Sequence, residues 1–177
     1  PDVITFSGNG EPTMHPDFLG IIQDTCALRD QYCPNAKVSV LSNSTQLGRQ
    51  DVIDALRLSD NRILKLDSAI DPTMHLIDQP VNHQLTVAQV LEWLRIFDGD
   101  FTLQTCFLKG EYQGQLIDNT TPHELDAWYQ AVEILHPKQV MMYVIDRATP
   151  LQTLEKIPAD QMQAIAQPLR DRGIDVI

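Results

Sequence analysis

The residues best suited to chemistry in this sequence form a glycine-rich turn that carries a single carboxylate. Residues 7–17 read Ser-Gly-Asn-Gly-Glu-Pro-Thr-Met-His-Pro-Asp and directly follow the apolar run 3–6. Glycine lets the backbone approach a ligand closely and present its N–H and C=O groups. The pattern therefore predicts that a short buried strand delivers a ligand-binding loop with Glu11 at its tip. A tight strand-to-helix turn without a ligand would use the same residue types.

Further polar residues follow the later apolar segments of the chain. Lys65 and Asp67 lie within or at the end of the apolar run 63–67, where a charge must be paired or must face a polar cavity. Each of the other residues, taken alone, is better explained as part of a polar loop. The polar residues at the ends of the predicted strands are Ser7, Asn9, Glu11, Ser42, Asn43, Ser44, Lys65, Asp67, Ser68, Lys109, Glu111, Asp146 and Arg147.

Strands and helices must alternate to position these residues. Helix start and stop signals support this alternation: Thr86-x-x-Gln89 and Thr121-x-x-Glu124 are typical of capping boxes, and Gly173 is a helix stop. Amphipathic stretches with helical spacing lie between the apolar segments, and the first of them places Phe18, Ile21, Ile22, Cys26 and Leu28 on one face. The predicted strands are 3–6, 38–41, 63–66, 101–107, 140–145 and 174–177.

This alternation predicts an α/β domain of parallel strands joined by right-handed crossovers. It comprises five complete βα units and the start of a sixth strand, and a single domain accounts for residues 1–177. An open doubly wound sheet and a (β/α) barrel both remain possible. In either architecture, chemistry gathers in the loops that follow the carboxyl ends of the strands.

Composition narrows the class of function. The net charge of −11 argues against a broad nucleic-acid interface, which needs clustered Lys and Arg. No apolar run approaches the roughly 20 residues that a membrane span needs. Cys26, Cys33 and Cys106 have no metal-site spacing, so we interpret them as small hydrophobic residues in a reducing cytoplasm. His15 lies in the glycine loop, but the five histidines form no ligand pattern.

The motif Ser-Gly-Asn-Gly-Glu-Pro-Thr-x-x-Pro-Asp-Phe after a strand resembles the glycine–glutamate motif of radical S-adenosylmethionine enzymes. It is most similar to their wyosine-synthase-like group. The resemblance continues in Leu41-Ser42-Asn43-Ser44-Thr45, Leu64-Lys65-Leu66-Asp67, residues 104–110 and residues 143–150, and so covers about residues 3 to 150.

The resemblance implies a partial (β/α)6 barrel, in which the first strand of this chain would be the family's second strand. In that family, a Cys-x3-Cys-x2-Cys loop after the first strand holds a [4Fe–4S] cluster. No such pattern occurs in this sequence. We therefore expect the chain to be a piece of a longer protein, inactive by itself, with the cysteine loop upstream of Pro1. A degenerate relative without the loop is the alternative.

The resemblance also assigns cofactor-binding residues. The loop Gly8, Asn9, Gly10 and Glu11 would meet the amino group of S-adenosylmethionine, mainly through backbone carbonyls. Ser42 and Asn43 would reach the ribose or the carboxylate, and Lys65 and Asp67 would contact cofactor or substrate. The backbone of Leu108 and of Val144 and Ile145 would border the adenine, while Asp146 and Arg147 would orient substrate or form an ion pair.

The activity implied is reductive cleavage of S-adenosylmethionine to a 5′-deoxyadenosyl radical that abstracts hydrogen from a substrate. It requires the [4Fe–4S] cluster and an electron donor such as flavodoxin or ferredoxin. The nearest named activity of the group is wyosine synthesis on transfer RNA, but the acidic charge argues against RNA for this chain. Two alternatives remain: a barrel lyase that uses Lys65 as a Schiff-base nucleophile, and a non-catalytic binding module.

A strand missing before residue 3 would leave an open sheet edge, and open edges invite pairing with another chain. We therefore expect this chain by itself to form a dimer or a swapped assembly through the edge of the strand 3–6. Analytical ultracentrifugation over a hundredfold range of concentration tests the expectation. Sedimentation as a monomer throughout that range would contradict it.

Overall fold

The computed structural model describes residues 1–8, 10–146 and 151–177, and strands and helices alternate along this part of the chain as predicted. The strands are β1 (Val3–Phe6), β2 (Lys37–Ser42), β3 (Asn61–Lys65), β4 (Thr102–Tyr112), β5 (Gln115–Asp118), β6 (Gln139–Val144) and β7 (Glu155–Lys156). The helices are α1 (Phe18–Tyr32), α2 (Gln50–Leu58), α3 (Asp71–Asp78), α4 (Val87–Leu94), α5 (Pro122–Leu135) and α6 (Ala159–Asp171).

Five parallel strands form a sheet that curls into a half-barrel, in the order β1-β2-β3-β4-β6. This order follows the chain without the reversal of a doubly wound sheet, so the barrel alternative is confirmed. The predicted strand 174–177 is reduced to a parallel bridge between Val140 and Val176. Its backbone still pairs with β6, because the Ile177 N–H donates to the Val140 carbonyl at 3.0 Å.

The hydrophobic core lies between the convex face of the sheet and the helices. Trp128 of α5 packs edge-on against Phe107 of β4, with ring centroids 5.1 Å apart. The Trp128 indole N–H donates to the Thr105 hydroxyl at 3.0 Å, and that hydroxyl donates to the Leu66 carbonyl at 2.8 Å. These contacts fix α5, β4 and the carboxyl end of β3 relative to one another. The opposite face of the sheet carries Lys65 and Gln104 among apolar residues.

Two elements depart from the prediction and lie over the carboxyl ends of the strands. The fourth predicted strand, 101–107, continues as far as Tyr112 and pairs with β5 in an antiparallel hairpin, and its outer half also pairs with β7. Gln113 and Gly114 close that hairpin, both with positive φ. Helix α3 was not predicted either. Its Leu76 and Ile77 pack with Leu108 and other residues of the hairpin region in a second, small core.

The capping predictions are confirmed in part. Thr86 and Gln89 form the full reciprocal capping box at the start of α4. At the start of α5, Thr121 accepts a hydrogen bond from the Glu124 N–H, but the Glu124 carboxylate bonds elsewhere. Leu28, predicted on the buried face of α1, is exposed.

Two findings bear on what surrounds the barrel. Within the described residues, none of the helices combines the length and the apolar character needed to cross a membrane. In the same part of the chain β1 pairs with β2 alone, so its other edge carries no strand. The expected edge-to-edge association therefore has a surface on which to form.

Candidate functional site

The glycine loop is held in place by the carboxylate at its tip. One oxygen of Glu11 accepts the backbone N–H of Asn43 at 2.6 Å and thereby ties the loop to the end of β2. The other oxygen accepts the N–H of Thr13 at 3.1 Å and the Thr13 hydroxyl at 2.5 Å, which caps a short 3-10 turn, Pro12–Met14. The Arg49 guanidinium donates to the Thr13 carbonyl from the far side. Both Glu11 oxygens are thus engaged inside the protein, so the first role of this carboxylate is to shape the loop.

The end of β2 is folded by its own side chains. The Ser42 hydroxyl accepts the Ser44 N–H at 3.1 Å, and the Asn43 amide oxygen accepts the Thr45 N–H at 3.0 Å. Ser44 has a φ of 65° and donates its hydroxyl to the Lys65 carbonyl at 2.9 Å, which joins the β2 end to β3. Ser42 and Asn43 consequently stand at fixed positions beside the glycine loop.

These elements enclose a cleft of about 180 Å³ at the carboxyl edge of β1 to β3. A second cleft, of about 520 Å³, lies on the outer side of the same loop and includes Met14 and His15. A Cβ added to Gly8 or Gly10 would meet no protein atom within 4 Å, so both glycines face open space. The smaller cleft is lined by Ser7, Gly8, Gly10, Glu11, Pro12, Leu41, Ser42, Asn43, Lys65 and Gln104.

Lys65 reaches the cleft from a buried ionic cluster. Its ammonium contacts the Asp67 carboxylate, whose side chain is 0% exposed, and lies 3.7 Å from the Asp78 carboxylate at the end of α3. The second Asp67 oxygen accepts the Cys106 N–H at 2.8 Å. Cys106 is paired in register with Tyr143 of β6, and the two side chains form a hydrogen bond. The prediction that the charges of Lys65 and Asp67 must be paired or face a polar cavity is confirmed, because the two pair with each other and Lys65 also lines the cleft. Asp78 is a third member that was not foreseen.

Burial and neighbouring charges shift the pKa values of four side chains here, those of Lys65, Asp78, Cys106 and Tyr143. Burial alone would lower the pKa of Lys65, but the Asp67 and Asp78 carboxylates outweigh it and raise this pKa above its ordinary value. Burial, reinforced by the nearby Asp67 carboxylate, raises the pKa of Asp78 to about 8. Burial likewise raises the pKa of the Cys106 thiol to about 11 and that of Tyr143 above its usual range. At neutral pH the cleft therefore presents the Lys65 ammonium, and the protonated Asp78 carboxyl lies next to it in the buried cluster.

Two buried side chains that sequence reasoning missed hold this cluster in place. Asn119 donates to the carbonyls of Asp67 and Cys106 at 2.7 and 2.8 Å, while its amide oxygen accepts the Leu108 N–H at 2.9 Å. The Glu124 carboxylate accepts the hydroxyls of Ser68 and Thr73, next to Asp67 in the chain and on α3. No local sequence pattern identifies Asn119. The Glu124 side chain was predicted to complete a capping box with Thr121, but its carboxylate accepts the Ser68 and Thr73 hydroxyls instead.

The remaining predicted positions lie apart from the cleft. Leu108 and Ile145 belong to the second core, and the Leu108 backbone N–H and C=O are both engaged by Asn119. The Val144 side chain packs against the main core. Their contact with an adenine stays a prediction. Lys109 pairs with Glu155, and Asp146 with Lys156. Asn9 and Arg147 lie outside the described residues.

The three cysteines do not form a metal site. Cys26 lies on α1, Cys33 at its end, and Cys106 in β4. Among the residues that the structure describes, no group of three or more Cys, His, Asp or Glu side chains could hold a metal ion. The side chains described here therefore do not fit an iron–sulfur cluster.

Comparison with known sequences gives distant relatives. No family model matches the chain. The GTPase Obg of Brachyspira hyodysenteriae is 27% identical over 165 residues, which cover 92% of this chain and 22% of that protein. A UPF0026 protein of Synechocystis is 28% identical over 155 residues, covering 85% and 53%. The chain thus spans about a fifth to a half of the length of these curated relatives. No G-x-x-x-x-G-K-[ST] phosphate-binding motif occurs in its sequence.

Comparison with solved structures gives the fold. A domain of pyruvate-formate lyase-activating enzyme from Bacteroides vulgatus superimposes with a TM-score of 0.68 at 18% identity, covering 98% of this chain and 96% of that one. SuiB of Streptococcus suis, solved with S-adenosylmethionine bound, gives 0.67 at 10% identity, covering 99% and 38%. TYW1 with a lysine–pyruvate adduct gives 0.67 at 16%, covering 97% and 50%. The half-barrel implied by the sequence resemblance is confirmed.

Proposed function

We propose that this chain is the cofactor-binding barrel of a radical S-adenosylmethionine enzyme, which cleaves that cofactor reductively to abstract hydrogen from a substrate. The observation that carries the proposal is the cleft at the carboxyl edge of the half-barrel, where Gly8 and Gly10 face open space beside Ser42, Asn43 and Lys65. Its support is twofold. The sequence motif of the glycine loop resembles that superfamily, and a structure of the same fold holds S-adenosylmethionine.

The residues present fit this cofactor. The methionyl ammonium needs hydrogen-bond acceptors, and the backbone carbonyls of the glycine loop supply them. Because the Glu11 carboxylate accepts the Asn43 N–H, Glu11 is tied to the end of β2 before any ligand arrives. Ser42 and Asn43 supply polar contacts for a ribose or a carboxylate, and Lys65 supplies a permanent positive charge. When bound, the cofactor supplies the radical chemistry, while the protein binds, orients and excludes water.

The described residues contain no binding site for the iron–sulfur cluster that such an enzyme requires. The proposal accordingly concerns the whole protein, of which this chain forms the barrel. The proposal also includes a cytoplasmic location and an electron donor of the flavodoxin or ferredoxin type.

The geometry opposes the alternative of a Schiff-base enzyme that uses Lys65. TYW1, one of the solved structures of this fold, carries a lysine–pyruvate adduct. A nucleophilic lysine must however lose its proton, and the carboxylates of Asp67 and Asp78 stabilise the Lys65 ammonium instead. We therefore assign Lys65 to ligand binding.

Gly10→Ala is the sharpest test of the proposed site. Because an added Cβ meets no protein atom within 4 Å, we expect the free energy of unfolding to stay within about 0.5 kcal/mol of the wild type. The methyl group would instead project into the ligand's space. We expect the affinity for S-adenosylmethionine to fall about tenfold or more, which corresponds to about 1.4 kcal/mol.

The measurement uses the full-length protein, reconstituted anaerobically with iron and sulfide. 5′-Deoxyadenosine formed from S-adenosylmethionine and dithionite is quantified as a function of cofactor concentration. Gly48→Ala is the matched control, because its Cβ would lie 2.8 Å from the Trp93 ring and should lower stability without touching the cleft. Absence of 5′-deoxyadenosine from the wild type would refute the proposed function. Equal affinity in Gly10→Ala would refute the proposed site.

A further inference from the structure

Helix α3 differs from the other helices in what it covers. Its Leu76 and Ile77 pack on the second core above the barrel, against Leu108 and Ile117, and its last residue, Asp78, enters the buried ionic cluster. The Asp78 side chain is only 13% exposed. The end of α3 therefore lies over the carboxyl ends of β3 and β4, next to the lysine that lines the cleft.

The two ends of α3 are held by different kinds of contact. At the first turn, Asp71 accepts the Val87 N–H at 2.6 Å, and Thr73 bonds to the buried Glu124. In the middle, His75 contacts the Leu85 carbonyl at 2.7 Å. Asp78, followed by Gln79 in a left-handed conformation, is held by apolar packing and by the ionic cluster. The first turn is thus tied to α4 and α5 by hydrogen bonds, whereas the last residue depends on the buried ionic cluster.

We propose that the carboxyl end of α3 is a proton-dependent latch, seated on the Asp67–Lys65 pair while the Asp78 carboxyl carries a proton and released as that proton is lost. The charged and titratable groups around Asp78 are Lys65 of β3, Asp67 of the following loop and Cys106 of β4, and Cys106 in turn contacts Tyr143 of β6. Tyr112 of β4 donates its hydroxyl to the neighbouring Gln79 at 3.5 Å. A neutral Asp78 can share its proton with Asp67. Two ionised carboxylates there would face a single ammonium in a buried site.

The direction of the effect follows from proton linkage. In the closed state burial and Asp67 raise the pKa of Asp78 to about 8, whereas in an open state the carboxyl meets water and has an ordinary pKa of about 4. Between these values opening releases one proton, so the opening constant rises about tenfold per pH unit. The pKa of Lys65, Cys106 and Tyr143 is raised, so these groups keep their protons throughout this window. The latch is thus tightest in mild acid and weakens toward pH 8.

The latch changes the surroundings of Lys65 regardless of which ligand binds in the cleft, so the inference does not depend on the proposed function. While closed, α3 places the Asp78 carboxyl 3.7 Å from the Lys65 ammonium and covers one side of it. On opening, Lys65 keeps its contact with Asp67, and the side that Asp78 covered becomes accessible. Rising pH should therefore make this cation more available to an anionic group.

Hydrogen–deuterium exchange of this chain at pH 5.5, 6.5 and 7.5 tests the latch. Exchange rates divided by the intrinsic chemical rates give the opening constant for residues 75–79. We expect it to rise about hundredfold across these two pH units in the wild type, relative to α2 in the same molecule. In Asp78→Asn, which keeps the shape but cannot ionise, the rise should disappear. His75 is the same in both proteins, so the comparison isolates the substitution at Asp78.

Asp24→Asn is the matched control, because it removes one carboxylate from an exposed position on α1. It should leave the pH dependence of α3 intact. If Asp78→Asn does not fold, two measurements on the wild type test the latch instead. They are the pH dependence of exchange in α3 compared with α2, and a carbon-13 titration of the Asp78 carboxyl. A carboxyl midpoint near 4, no excess rise in α3, or an unchanged rise in Asp78→Asn would each overturn the latch.

Discussion

Asp67→Ala is expected to destabilise the protein by about 3–5 kcal/mol, because it removes one partner of a buried ion pair and leaves the other uncompensated. The Asp67 side chain is fully buried, and its loss would strand the Lys65 ammonium and the Cys106 N–H together. The remaining carboxyl, Asp78, lies 3.7 Å from the Lys65 ammonium, farther than the Asp67 contact, so it replaces the lost partner only in part. Urea unfolding followed by circular dichroism measures the difference.

A second variant separates the stranded charge from the lost contacts. In Lys65→Met/Asp67→Ala no unpaired ammonium remains, so we expect the double variant to recover a substantial part of the stability lost in Asp67→Ala. Asp2→Ala, at an exposed position near the amino terminus, is the control for removing an aspartate. A cost below about 1 kcal/mol for Asp67→Ala would mean that the cluster opens to water and is not a buried pair.

Glu11→Ala is expected to have the largest effect on ligand binding. Its carboxylate accepts three hydrogen bonds that join the glycine loop, the 3-10 turn and the end of β2. Leaving these donors without an acceptor should cost about 2–3 kcal/mol of stability. Displacement of the loop by about 1 Å should lower 5′-deoxyadenosine formation about hundredfold. Urea unfolding and the anaerobic assay of the full-length protein measure the two effects.

Two further variants make the Glu11 result specific. Glu11→Gln keeps an acceptor toward Thr13 but lacks the charge, so its effects should lie between those of the wild type and Glu11→Ala. Glu111→Ala, at an exposed position of the hairpin, should behave as the wild type. Wild-type product formation by a folded Glu11→Ala protein would show that the loop keeps its shape without the carboxylate.

The barrel itself was predictable because its signals are local and repeated. Helix α2 buries Val52, Ile53, Ala55 and Leu56 on one face, and β2 is a short, largely buried run, so both patterns are visible in a short window. The start of α4 was equally predictable, because the side chains of Thr86 and Gln89 each accept a hydrogen bond from the other residue's backbone N–H within a single turn. The pairing of Lys65 and Asp67 followed from the cost of burying a charge.

The parts that were missed depend on tertiary contacts. Helix α3 has eight residues and only Met74 fully buried, so its hydrophobic pattern is too short to recognise. The hairpin turn uses Gln113 at positive φ, where asparagine or glycine would have marked it. Asp78 and Asn119 reach the site from elements distant along the chain. No sequence window brings these residues next to Asp67.

The length of β4 has a consequence for how the molecule acquires its structure. This strand pairs with β3 and β6 in the barrel and with β5 and β7 beyond it. Its contact with β5 closes through a two-residue turn and can form in microseconds, whereas each parallel pairing must wait for a whole crossover to close. We expect the hairpin to fold first and to hold β4 extended as a template. The barrel would then grow outward from β4 in both directions, and β1 with its glycine loop would join last.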